Sequence, residues 1–200
     1  MDPLSYEQLP AVRFIEVMGG PVLVLVGETI TLETGQAAIQ TAPGTVHAIP
    51  EGYRAAVDFM RTPRSVSHVT DFKNRYGLRH KPLNLLEDAG AILRIKTSTP
   101  LKAADGFKGV RLVAQSVKGG PAGHGTTLVA VHRDADAEQD MYVTEALAAV
   151  LWDLEAPVDL PKAIRLVDDG AGPELTARRV LTNLPNLLSL RLARLERVDT

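Results

Sequence analysis

Hydrophobic positions between residues 11 and 60 come as short runs punctuated by glycine and proline: Val12–Val17, Val22–Val26, Thr29–Glu33, Ala37–Thr41, Thr45–Ile49 and Arg54–Met60. Gly19-Gly20-Pro21, Gly27-Glu28, Thr34-Gly35, Pro43-Gly44 and Pro50-Glu51-Gly52 separate them. β-Branched runs of this length, at this spacing, predict the strands of a small barrel, a sandwich or a meander. From Arg61 to Pro82 no core periodicity is read, and a long loop or arm is expected there. Asn84–Ala89 predicts one or two turns of helix stopped by Gly90.

Ala91–Lys96 reads as a strand. Val110–Val117 and Thr127–His132 are expected to form a hairpin, with the Gly-rich link Lys118–Gly125 as its projecting tip. A helix is predicted from about Ala137 to Leu154, striped by Met141, Leu147, Val150, Leu151 and Leu154, capped by Asp134 or Asp136 and ended by Pro157. A strand at Ala163–Val167 and a helix from about Pro173 to Leu181 follow. Residues 186–198 admit two readings: Leu188, Leu190 and Leu192 alternate as in a strand, whereas Leu188, Leu192 and Leu195 have helical spacing, and strand is preferred. The expected class is α+β, one domain over 1–200. It would hold a β-rich half at 11–60, a basic arm or loop at 61–82, and a mixed half at 83–200 with a hairpin and two or three helices.

Composition changes this picture in two places. At 200 residues, 45% hydrophobic and 23% charged, the chain can bury an ordinary core without a staple. Aromatics are only 4%, so that core must be mainly aliphatic. The absence of cysteine excludes disulfides, thiolate nucleophiles and cysteine-ligated zinc. No apolar run approaches the roughly 20 residues that span a bilayer, and Met1-Asp2-Pro3-Leu4 lacks the basic and apolar regions of a secretory signal. A cytoplasmic protein, or one assembled into a particle from the cytoplasm, is expected, with no membrane partner.

Charge singles out one segment. The chain as a whole has 22 basic and 24 acidic residues, net −2, which provides no global field for a polyanion. Residues 61–82, in contrast, carry six cations against Asp71 alone. Arg64, Phe72, Lys73, Arg75, Tyr76, Arg79 and Lys81 are therefore the candidate partner-binding residues. Arginine and tyrosine are common anchors at protein interfaces, and the same chemistry can hold phosphates and stack on unpaired bases. A solvated surface loop would also account for the charge.

Signals for catalysis are sparse. Pro43-Gly44-Thr45-Val46-His47-Ala48-Ile49-Pro50 resembles the second motif of the cupins, a family in which a histidine after a glycine turn ligates a metal inside a small barrel. The resemblance implies a metal at His47, but the first motif has no counterpart, since residues 1–34 contain no histidine. His132 with Asp134 and Asp136 could form a site, although acidic residues at that position also suit a helix N-terminus. Gly119–Gly125 fits neither phosphate-loop pattern, no serine lies in a nucleophile elbow, and the nearness of Ser65 and His68 does not by itself make a triad.

The expectation is thus a structural or assembly subunit acting through contacts with other protein chains, including copies of itself, for example in a phage tail, neck or baseplate. No catalytic residue and no cofactor are assigned. A cupin-like metal-dependent enzyme or small-ligand binder is the alternative, and a nucleic-acid binding module using 64–81 is the second alternative.

Overall fold

The apolar run Val22–Val26 has both of its faces buried. In the computed structural model, which describes residues 14, 20–96, 99–121, 128–133, 141–167 and 170–198, this run forms strand β1, Val22–Leu25. It lies between β5 (Arg64–Ser65) and β6 (Ile92–Ile95), antiparallel to both, with Val22 opposite Ile95 and Leu23 opposite Arg64. Successive side chains of a strand point to opposite faces. Val22 and Val24 accordingly enter one hydrophobic cluster, and Leu23 and Leu25 another.

The Leu23 and Leu25 side is covered by the N-terminal elements. Strands β2 (Glu28–Thr31), β3 (Ala37–Ala42) and β4 (Thr45–Ala48) form a meander, one of the three arrangements expected, as an open antiparallel sheet. The four sheets among the described residues have two or three strands each, and none closes into a barrel. Arg54–Phe59, expected as a strand, is helix α1. Tyr53, Ala56, Val57 and Met60 are buried at i, i+3, i+4 and i+7, which is helical spacing.

The expected basic arm at 61–82 is also ordered structure. After β5, helix α2 spans Val66–Arg75, its first turn capped by Ser65, whose Oγ accepts the His68 amide at 3.1 Å. Val69 and Phe72 bury one face of α2. Helix α3, Lys81–Asp88, follows and ends before Gly90 as predicted.

The second cluster fills the C-terminal part. Helix α4 (Pro100–Asp105) leads to β7 (Val110–Ala114), which pairs with β11 (Ala193–Arg197) and not, as expected, with the strand at 128–132. Strand β8, Val117–Pro121, takes that role against β9, Leu128–His132, so the first part of the expected flexible tip is itself paired strand. Residues 122–127 of the tip lie outside the described residues.

The long helix expected from Ala137 is shorter and starts later. Met141–Thr144 is strand β10, paired with β9, and α5 covers only Glu145–Trp152. Its cap is Thr144, whose Oγ1 accepts the Leu147 amide at 3.3 Å; Asp134 and Asp136 lie outside the described residues. The expected strand at Ala163–Val167 is helix α6, Leu160–Leu166, which the Asp159 carboxylate caps. Helix α7 starts at Pro173 as predicted but continues to Ser189, so residues 186–198 contain both a helix end and a strand. Phe107, Leu147, Ile164, Leu181 and Leu184 form the centre of this core. No described helix is long and apolar enough to cross a membrane.

Candidate functional site: an arginine-lined cleft

Two backbone features bring the halves together beside β1. Gly27, at the β1–β2 turn, has φ +92° and donates its amide to Leu195 O at 2.6 Å, tying the turn to β11. A side chain there would place Cβ 2.0 Å from Gln40 O, so only glycine allows this approach. The second feature is the end of α7. Leu192 N–H donates to Leu187 O at 2.9 Å and Arg191 N–H to Leu188 O at 3.2 Å, the paired bonds of a Schellman cap. The residue at its left-handed position, with φ 57°, is Arg191.

Glycine is the usual occupant of that position because a Cβ costs about 1–2 kcal/mol in left-handed backbone. Among the described residues every other positive φ belongs to glycine. Strain of this kind persists where the side chain has a use, and an observed outlier of this sort motivates a functional hypothesis. The Arg191 guanidinium is exposed and has no partner among the described residues.

Arg191 stands where two cavities meet. One, of about 460 Å³, is lined by Gly27, Glu28, Arg61, Arg133, Arg191 and Arg194 among others. Its neighbour, of about 490 Å³, shares Arg61 and Arg191 and adds Arg64, Phe59, Phe72 and Tyr76. Sharing two residues, they make one cleft whose described lining has five guanidinium groups against Glu28 and Asp58, +3 among the described residues. A concave site lined by one sign of charge focuses the field and concentrates counter-ions.

Existing contacts hold most of these cations in place. Arg133 donates to Leu190 O at 2.8 Å, just before Arg191. Arg194 pairs with Glu28 at 2.8 Å and lies 3.5 Å from Glu196, while Gln115 also donates to Glu28. Arg61 pairs with Asp58 at 3.2 Å and reaches Thr29. Arg64 is buried, with its guanidinium 4.5 Å above the Phe59 ring and its Nε donating to Phe59 O; burial lowers its pKa. Beyond Phe59 the aromatic stack continues: Phe72 lies parallel to it at 4.7 Å, and Tyr76 lies 4.6 Å from Phe72.

The structure divides the seven candidates of the basic segment. Arg64, Phe72 and Tyr76 line the second cavity. Arg75, Arg79 and Lys81 are exposed on other surfaces, away from both cavities of the cleft. Lys73 is buried at 4% exposure, where its Nζ meets His80 Nδ1; burial, and secondarily the nearby Arg94, lower its pKa. Arg133, Arg191 and Arg194 carry no sequence signal as a group, since each stands among residues of ordinary composition.

The chain matches no known protein family, no curated protein and no solved structure. His47, on the open sheet, bonds Thr41 Oγ1 through Nε2 at 3.2 Å. Among the described residues no group of three or more histidine, aspartate or glutamate side chains could hold a metal ion, so the cupin-like ligand set is not assembled there. Ser65 and His68 are linked through the backbone cap of α2, not through the imidazole. Among the described residues the cleft thus has one guanidinium without a partner beside others held by internal contacts, a chemistry that suits an anion.

Proposed function

We propose that this chain is a recognition subunit that works by contact with another polypeptide, and that the arginine cleft receives acidic side chains of that partner. This is the kind of contact a subunit of a larger multi-chain particle requires. The observation that carries it is Arg191, whose guanidinium has no partner among the described residues and whose left-handed backbone stands at the junction of two cavities. Arginine's planar fork suits carboxylates, which it can hold through two parallel charge-assisted hydrogen bonds.

A long polyanion fits less well. Nucleic acid wants a track of available cations following successive phosphates. Here Arg61, Arg133 and Arg194 already hold internal partners, and the cations of 75–81 do not line the cleft.

A capped octapeptide of alternating glutamate and glycine provides the test, titrated by calorimetry against the whole chain. Binding should weaken with added salt, and by about tenfold in each of Arg133→Ala and Arg191→Gly. A glutamine-for-glutamate peptide that binds equally well would refute the reading.

A further inference from the structure

We infer that the partner segment carries an aromatic side chain next to its acidic one, and that this ring enters the second cavity and extends the stack that ends on Tyr76. The inference rests on the acidic-partner reading and specifies what the other half of the cleft is for.

Four layers are already in place. The Arg64 guanidinium covers Phe59, Phe59 stacks on Phe72 at an interplanar angle of 16°, and Phe72 meets Tyr76 at 36°. The first three are buried, while Tyr76 is 45% exposed. In a chain with only 4% aromatics, three of these residues converge here, and the stack ends on a large apolar ring at the wall of a cavity of about 490 Å³. That volume lies in the range of preformed ligand sites, and the lining is more apolar than polar. The Tyr76 hydroxyl has no partner among the described residues, so the exposed ring is not held outward by an internal hydrogen bond.

Arg61 and Arg191 belong to both cavities, so an anion held there sits beside whatever fills the aromatic one. Neighbouring residues of an extended chain are about 3.5 Å apart. One carboxylate and one ring on adjacent or next-adjacent residues of a peptide therefore satisfy both cavities, with charge complementary to the local +3. A nucleotide also joins an anion to a ring. A strand of nucleotides, however, brings further phosphates, for which the cleft has only Arg191 uncommitted.

Three capped pentapeptides, titrated against the full chain and followed by calorimetry and by the Tyr76 ring resonances, test this. The first has two aspartates followed by phenylalanine, the second replaces phenylalanine with leucine, and the third replaces both aspartates with asparagine. The first should bind about tenfold tighter than the second and shift the Tyr76 resonances. Tyr76→Ala should remove that advantage and leave the affinity of the second unchanged, while Arg191→Gly should weaken both. Equal affinity of the first two peptides overturns the aromatic inference and leaves the acidic reading standing. No binding by either overturns both. Tighter binding of a single-stranded oligonucleotide than of the first peptide overturns the choice of a polypeptide partner.

Discussion

Replacing Gly27 with alanine tests whether the halves are locked together as described. Gly27 and Gly35 both have positive φ, +92° and +81°, so a Cβ at either costs about 1–2 kcal/mol in backbone strain. They differ in surroundings. At Gly35 nothing lies within 4 Å of the added atom, whereas at Gly27 it meets Gln40 O at 2.0 Å, Gln40 C at 2.7 Å and Thr41 Cα at 2.8 Å. These are backbone atoms with no rotamer to retreat into, so the β1–β2 turn must move by about 1 Å to reach tolerable contact. That movement withdraws the Gly27 amide from Leu195 O and strains the Glu28–Gln40 pair of the meander. A buried group left unsatisfied costs about 1–3 kcal/mol. Gly27→Ala should therefore lose about 2–5 kcal/mol, about 1–3 more than Gly35→Ala, which bears only the strain of about 1–2. Urea denaturation of the two variants beside the wild type reads the difference directly. If they unfold within about 0.5 kcal/mol of each other, the close approach of β1–β2 to β3 is wrong, and with it the floor of the cleft.

Three further outcomes follow from the same structure. Arg191→Gly relieves about 1–2 kcal/mol of left-handed strain and gives back about 0.5–1 in glycine's unfolded-state entropy, so its urea midpoint should hold or rise while acidic-peptide binding falls; a clear loss of stability would mean Arg191 is kept for the fold. Lys73→Met should be more stable than wild type at neutral pH, because burial holds the folded-state lysine below its ordinary pKa and protonating it there opposes folding. That advantage is full below the folded pKa and shrinks as pH rises toward the unfolded value, and urea midpoints from pH 7 to 10.5 that show a constant gap would contradict it. Glu196 is 6% exposed and accepts from Arg111 at 2.5 and 2.9 Å, so Glu196→Ala should cost about 1–3 kcal/mol, less than the roughly 3–5 of a fully buried pair because Arg111 can still reach solvent; the Glu196→Ala/Arg111→Ala double variant should cost less than the sum of the two single ones.

How far the fold was legible depended on which signal dominated each segment. The meander at 28–48 was readable because glycine turns and β-branched alternation agree there. Helix α7 announced its start through Pro173, and α3 its end through Gly90. The misread segments are those where one signal masked another. In 61–82 the density of charge hid Val66, Val69, Phe72 and Tyr76, whose spacing is that of an amphipathic helix. At 141–152 a strand runs straight into a helix at Thr144, so the apolar residues fit a continuous helical stripe even though the first four pair with β9. Val110–Ala114 was given the nearest strand as its partner, but its true partner, β11, lies some eighty residues further on, and local pattern contains no such information.

The cleft was illegible for a related reason. Its cations come from 61–64, 133 and 191–194, segments that meet only because β1 buries both faces and Gly27 admits β11 to its end. A net charge of −2 argues against a polyanion partner only if charge is spread evenly, and it is not. The described residues lining the cleft carry +3, although the full sequence sums to −2. Over distances beyond the roughly 8–10 Å screening length the remainder contributes little, while inside the cleft the local cations dominate. Averaging charge over the whole sequence thus removed from the composition any signal of the cations that gather in the cleft.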